Sequence, residues 1–416
     1  MAGSTTNMST FATPVSARPG RLWRAGLQVA VLVLLVPAGI SVGYQVLAPS
    51  SRTLVQRAAG GADSAALLEL VERVQRQPHM DAELQFLLRG DAAALQSLAG
   101  LAAGNESAMQ YLIQLARREP GTVALLADME VSSDYALAML RHIGPAGLAG
   151  LKQKTDTSAC ACFMLAVAYE NGCNTPQDWR QAASWYARAR ALGYVVAEPR
   201  YAEAAYQAGL LCRGSEAAVW FRAAAGCGHA AAQCALGVCY ASGDGLEVDL
   251  CEAVAWYRKA AGQGMADAQY NLAWCLLHGE GTEPDAAAAV HWFRLAAEQG
   301  DDLAQYYLGR AYELGEGVPQ DFSEAVQWYH WAVEQGNAAA QCALGHCYAR
   351  GRGVPQNWAQ AVRCYQLSAQ QGRAEAQLAL AECLEQGLGV ARNTVAARAW
   401  RQLAATESSS ISQEST

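Results

Sequence analysis

The chain is poor in charge and in proline. Lys, Arg, Asp and Glu make up 16% of 416 residues, and there are 12 prolines. The charge that exists is acidic, 38 Asp and Glu against 30 Lys and Arg, a formal net charge of −8. Without a cationic excess nothing displaces counterions from a phosphate backbone, which excludes a general nucleic-acid partner. Signatures of catalysis are missing too. There is no Gly-x-Ser-x-Gly, no Ser-x-x-Lys, no Gly-Lys-Ser/Thr and no His-Glu-x-x-His. His79, His142, His229, His278, His291, His330 and His346 show no ligand spacing. No enzyme, metal or cofactor is expected. What is present is 52% hydrophobic residues, which rules out a disordered chain, with 38 glycines and 13 cysteines. An odd number of cysteines cannot all pair within one chain.

Residues 1–24 carry Arg18, Arg21 and Arg24 and no acid, and residues 25–48 then run without a charge. A helix of that length spans about 36 Å against about 30 Å of bilayer hydrocarbon. Pro37, Gly39 and Gly43 within it are tolerated in a membrane helix. The segment reads as a transmembrane anchor. A cleaved signal peptide with Leu27–Val36 as its apolar core is the other reading. Arg52 and Arg57 follow closely, so the flanking charges lean only slightly toward an N-terminus inside. The expectation is a single-pass inner-membrane protein with its body in the periplasm; the alternative leaves the body in the cytoplasm. Residues 49–62 read as a linker and 63–157 as a helical region, with Leu67, Leu68, Val71 and Val74 at helical spacing.

From about residue 158 the sequence repeats every 36 residues. Gln233, Gln269, Gln305, Gln341 and Gln377 keep this step, as do Leu236, Leu272, Leu308, Leu344 and Leu380. Trp256, Trp292 and Trp328 share another position, broken at Cys364 and restored at Trp400. Seven units follow: 158–193, 194–228, 229–264, 265–300, 301–336, 337–372 and 373 to about 407. The second is one residue short and lacks the loop glycines. Each unit reads as two helices. A Gly-x-Gly such as Gly243-Asp244-Gly245 ends the first helix, and a cap residue such as Asp249 starts the second. Glu252, three residues on, completes a capping box. The tryptophans are expected to fill the space between helices. No hairpin buries its aromatic face alone, so the units must stack into an all-α solenoid. Residues 408–416 read as a disordered tail.

The run from Ala266 to Gly281, ADAQYNLAWCLLHGEG, followed by AVHWFRLAAEQG to Gly300, resembles a Sel1-like repeat. So does the unit ending at Gly336, with Gly315-Glu316-Gly317-Val318 and Trp328-Tyr329. The resemblance covers about 158–407 and is to a tetratricopeptide-related family whose helices are joined by a longer loop. It implies a right-handed superhelix that binds proteins or peptides, and bacterial members that act as envelope or signalling scaffolds. It implies no catalytic residue.

Positions that vary between copies are free of packing duties. In first helices such positions fall at i, i+4, i+7 and i+11, one helical face. They include Asn271, Trp274 and His278, then Tyr307 and Arg310, then His346 and Arg350. First helices of such superhelices line the groove, and Trp, Tyr and Arg are the residue types of binding hot spots. The expected function is a membrane-tethered, non-enzymatic adaptor holding a protein or peptide there. The alternative is an envelope factor that stacks polysaccharide or peptidoglycan on Trp274 and Tyr307. The cysteines, all between Cys160 and Cys383, read mostly as free core thiols, with Cys160, Cys162 and Cys173 the best placed to bridge. Oligomeric state is left open.

Overall fold

The computed structural model describes residues 51–59, 63–77, 92–102, 105–118 and 133–414, together with 81, 84, 85 and 88. The expected anchor at 25–48 and the basic segment before it lie outside the described residues. Among the described residues all nineteen elements are helices, there is no strand, and no helix is long and apolar enough to cross a membrane.

The first five are α1 (Ser51–Ala58), α2 (Ser64–Arg76), α3 (Ala92–Ala102), α4 (Glu106–Arg118) and α5 (Ser133–Gln153). Helix α1 falls in the stretch read as a linker. Leu54 and Ala58 are fully buried, and Arg57 pairs at 2.7 Å with Asp63, which caps α2. The chain therefore packs from its first described turn. Helix α5 breaks at Gly144, whose φ of 64° no neighbouring residue type adopts cheaply, just before Pro145.

Seven helix pairs follow. Their first helices are α6 (Ala159–Asn171), α8 (Ala197–Leu210), α10 (Ala230–Ser242), α12 (Ala266–His278), α14 (Asp302–Leu314), α16 (Ala338–Arg350) and α18 (Ala374–Gln386). Their second helices are α7 (Trp179–Ala191), α9 (Gly214–Gly226), α11 (Leu250–Gly262), α13 (Ala286–Glu298), α15 (Phe322–Glu334), α17 (Trp358–Gln370) and α19 (Thr394–Glu414). Each helix packs on its neighbours in sequence, as a solenoid requires. Helix α19 runs on into the expected disordered tail, since no glycine or proline stops it.

The joints are more specific than the periodicity suggested. Asp249 accepts a hydrogen bond from the Glu252 backbone N–H at 3.0 Å, as a cap should. The reciprocal half of the expected capping box is replaced, however. The Asp249 N–H donates instead to the Tyr240 carbonyl of α10 at 3.0 Å. Asp178 to Tyr169, Asp321 to Tyr312 and Asn357 to Tyr348 repeat this bond, so the cap residue also clamps the hairpin shut. The two loop glycines divide their labour. Gly315 ends α14 in the left-handed region, while a Cβ on Gly317 would sit 2.3 Å from the Ala286 carbonyl oxygen at the start of the previous repeat's second helix. The second glycine is thus a contact between repeats, not only a helix terminator.

The tryptophans are mostly not the deepest aromatics. Trp256, Trp292 and Trp400 are half-buried, and only Trp328 among these four is buried. The residue after each fills the space between helices: Tyr186, Tyr257, Phe293, Tyr329 and Tyr365 are almost inaccessible. Three of these rings, Tyr257, Tyr329 and Tyr365, sit against a glycine of the first helix, where the Phe293 repeat has Ala273. A Cβ at Gly237, Gly309 or Gly345 would meet the ring of Tyr257, Tyr329 or Tyr365 at 2.5–2.7 Å. All thirteen cysteines are free, ten of them buried, and Cys160, Cys162 and Cys173 form no bridge. Cys162 donates its thiol hydrogen to the Thr155 carbonyl at 3.2 Å instead.

Candidate functional site

Stacking of the repeats sets α12, α14, α16 and α18 side by side, and the variable stripe of each meets the stripe of the next. On α12 and α14 the meeting is aromatic. The Trp274 and His278 rings stack at 4.0 Å, one helical turn apart, and the His278 Nδ1 lies 3.0 Å from the Trp274 carbonyl. Tyr307 of α14 meets the Trp274 ring edge-on at 5.2 Å and stacks on buried Phe293 at 5.5 Å. The Arg310 guanidinium lies 6.0 Å over the Tyr307 ring, within cation–π range. Trp274 and Tyr307 are each half-buried, so the cluster is anchored below and open above.

On α14, α16 and α18 the meeting is polar. A pocket of about 250 Å³ is lined by Tyr306, Arg310, Glu313 and Leu314, then Ala339, Ala343, His346 and Arg350, then Arg373 and Glu375, with Tyr329 beneath. Arg310, His346 and Arg350 belong to the expected stripe, and Leu314, Ala339 and Ala343 hold its other positions by the 36-residue step. Glu313 is engaged, accepting from the Tyr329 hydroxyl at 2.7 Å and lying 3.7 Å from Arg352. Glu375 is engaged by Arg373 at 3.2 Å and His346 at 3.3 Å. Arg310 and Arg350 are exposed and salt-bridged to no carboxylate of the described residues. Burial opposes the charge on Arg373, but Tyr306, Cys342 and Glu375 around it outweigh that and raise its pKa.

Of the seven expected residues, Trp274, His278, Tyr307 and Arg310 form one cluster, and Arg310, His346 and Arg350 share the pocket. Asn271 stands apart: its amide points at the Cys234 sulfur, 3.7 Å away, a contact between repeats. Arg373 and Glu375 were missed. Glu375 holds the same repeat position as Asp267, Leu303 and Ala339, so carrying the stripe one unit further would have found it. Arg373 sits in the turn before α18, outside any helical stripe. Tyr306 was missed because its position reads as packing.

His346 was expected as a groove residue with no ligand companions. Its Nε2 in fact lies 3.6 Å from the Cys342 sulfur and 3.3 Å from a Glu375 oxygen, and its Nδ1 is 2.8 Å from the Tyr365 hydroxyl. Burial, with Glu375 adding to it, pushes the Cys342 thiol up to about 12. Sequence spacing hides this grouping because its third member comes from the next repeat.

The family model of the Sel1 repeat matches residues 161–194, 230–265, 266–301, 302–337, 338–372 and 374–409. The chain belongs to the Sel1 repeat family. Its α8–α9 pair falls between the first two matches, where the second unit is short and Val195, Leu211 and Val219 are exposed. Sel1 repeats are scaffold modules that mediate protein–protein interaction. No curated protein matches the chain. Among solved structures it is similar to a protective antigen present in uropathogenic Escherichia coli strains and displaying an SLR fold. That match has 33% identity, covers 62% of this chain and 56% of the other, and has a TM-score of 0.49. This Sel1 repeat chain thus spans little more than half of that relative. It is also similar to a Sel1 repeat protein from Oxalobacter formigenes, at 28% identity over 68% and 96% of the two chains, TM-score 0.43. An immunity protein from Pseudomonas aeruginosa matches at 19% identity over 50% and 82%, TM-score 0.34.

Proposed function

We propose that this Sel1 repeat protein is a non-enzymatic adaptor that holds an extended protein segment along the stripe of α12, α14 and α16. The observation that carries the reading is the adjacency of two complementary surfaces. Trp274 and Tyr307 offer half-open aromatic faces held rigid by their neighbours, so little side-chain entropy is lost on binding. Arg310 joins them to the polar pocket, where among the described residues neither it nor Arg350 is salt-bridged to a carboxylate. The segment that fits has an apolar or aromatic side chain followed by an acidic group. The glycan reading gains less support, because His278 covers one face of Trp274 and Phe293 one face of Tyr307, which reduces the area left for a sugar.

The test is crosslinking of the full-length chain to its partner in the native host, followed by capture. Wild type should recover a protein that the Trp274→Ala and Arg310→Ala variants recover at least ten-fold less. Recovery of glycan without protein would overturn the adaptor reading.

The tether through residues 25–48, with the repeats outside the cytoplasm, is part of the proposal and rests on that apolar run alone. Cys251 is exposed and serves as a native reporter. A membrane-impermeant thiol reagent should label it in cells whose inner membrane is intact. Labelling only after lysis would reverse the orientation.

A further inference from the structure

We propose that Cys342, His346 and Glu375 form a divalent-metal site of the zinc class, built at the junction of the sixth and seventh repeats. Cys342 and His346 are four residues apart on α16 and therefore share a face. Glu375 reaches them from the first turn of α18. Sulfur to His346 Nε2 is 3.6 Å, Nε2 to a Glu375 oxygen is 3.3 Å, and all three donor atoms lie within 4.8 Å of one another. An ion about 2.3 Å from sulfur and about 2.0–2.1 Å from nitrogen and oxygen, at tetrahedral angles, sets S···N near 3.6 Å and N···O near 3.3 Å. Both of these separations are already present, and the sulfur-to-carboxylate separation, at most 4.8 Å, closes toward about 3.6 Å when the ion enters.

The surroundings are those of a ligand set held in place. The Tyr365 hydroxyl binds the His346 Nδ1 at 2.8 Å and aims Nε2 at the other two donors. Arg373 holds the second Glu375 oxygen at 3.2 Å, which turns the first toward His346. Such outer partners orient metal ligands and tune them. Cys342 is 1% exposed, whereas His346 and Glu375 line the groove pocket, so a fourth position opens there for water.

Ordinary packing does not account for the grouping. The same repeat position holds a buried cysteine at Cys234, where the residue four further on is Val238. A buried thiol in this fold therefore needs no histidine beside it. Thiolate, imidazole and carboxylate together suit zinc and disfavour magnesium and calcium, which take oxygen ligands. Binding releases the Cys342 proton to solvent, and no electron changes hands. The thiolate and carboxylate charges match the two charges of the ion, and Arg373 adds one positive charge at the second Glu375 oxygen.

The experiment uses the purified full-length chain, stripped with a chelator and titrated with Zn²⁺, and with Co²⁺ as a spectroscopic probe. Wild type should bind one ion, with the sulfur-to-cobalt charge-transfer absorption and d–d bands of a tetrahedral site. Cys342→Ser should abolish the charge-transfer band, and His346→Gln should weaken Zn²⁺ binding at least ten-fold. Tyr365→Phe should weaken it about ten-fold while keeping the band, as loss of an orienting partner does. Cys251→Ser should change nothing. Should Cys342→Ser lose its helical circular dichroism, His346→Gln, at a half-buried side chain, and Glu375→Gln, at an exposed one, carry the test. Absence of stoichiometric binding by wild type overturns the proposal, as does unchanged binding in His346→Gln and Glu375→Gln.

Discussion

Gln335 donates its side-chain amide hydrogen to the Oε1 of Gln305 at 2.9 Å, across thirty residues of sequence. Gln305, only 5% exposed, passes the connection on by donating to the Ala297 carbonyl at 3.1 Å. One buried side chain thereby joins the end of the previous repeat to the end of its own. Gln263 to Gln233, Gln299 to Gln269 and Gln371 to Gln341 repeat the first bond at 2.7–2.9 Å. This is why glutamine recurs every 36 residues where the burial would suit an apolar side chain.

Gln305→Leu keeps the volume and removes the polar atoms. The bonds to the Ala297 carbonyl and from the Gln335 amide are both lost, at about 0.5–1.5 kcal/mol each, while the Ala297 carbonyl keeps the Gly300 N–H at 3.0 Å. Solenoids unfold through nearest-neighbour interfaces, so a weakened joint in mid-array should also broaden the transition. Urea unfolding followed by circular dichroism reads both effects. An unchanged midpoint and slope would show that the ladder is decorative.

Gly345 faces the Tyr365 ring so closely that a Cβ would lie 2.5 Å from its edge. Gly345→Ala should therefore destabilise by about 1–3 kcal/mol through overpacking, despite the better helix propensity of alanine. Gly262 has nothing within 4 Å of its notional Cβ, and Gly262→Ala should be neutral or stabilising. Thermal melts should fall for Gly345→Ala and hold or rise for Gly262→Ala. A shared upward shift would mean that propensity, not the ring, decides.

Much of this was legible in sequence because repetition separates the two kinds of constraint. Gln233 and its copies never vary, so they had to be structural; Trp274, Arg310 and His346 share one position and differ, so they had to be free of packing. What repetition cannot give is depth. Trp and the following Tyr or Phe recur equally, and which ring goes inside depends on the small residue the facing helix offers, Gly237, Gly309 and Gly345 against Tyr257, Tyr329 and Tyr365. Nor does it give partners across a joint. The Asp249 N–H finds Tyr240 across its own hairpin, and His346 finds Glu375 in the next repeat, through packing geometry that no spacing within one helix encodes.

The tryptophans divide by burial in a way that mutation should expose. Trp328 is 6% exposed and packs edge-on against Trp331 at 4.5 Å, whereas Trp274 is half-buried on the stripe. Trp328→Ala should cost about 3–5 kcal/mol, in line with large cavities in packed cores. Trp274→Ala should cost about 1 kcal/mol and act on partner recovery instead. A steep loss of stability in the second variant would make Trp274 a core residue and withdraw it from the groove.

Alkaline stability carries the signature of the buried thiols. Burial pushes Cys234, Cys275, Cys364 and Cys383 up to about 11 from an ordinary value of 9.0. As pH rises past about 9 the unfolded chain loses these protons first, while the folded chain still holds them. Their contribution to stability is therefore complete below about pH 9 and declines as pH climbs toward 11, each by up to about 1.4 kcal/mol per pH unit. Urea midpoints in reducing buffer at pH 8, 9 and 10 should fall progressively. The fall should be shallower in Cys275→Ala, a substitution the repeat already tolerates at Ala311. Equal slopes in wild type and variant would mean that the Cys275 thiol titrates alike in the folded and unfolded chains, against its burial between the helices.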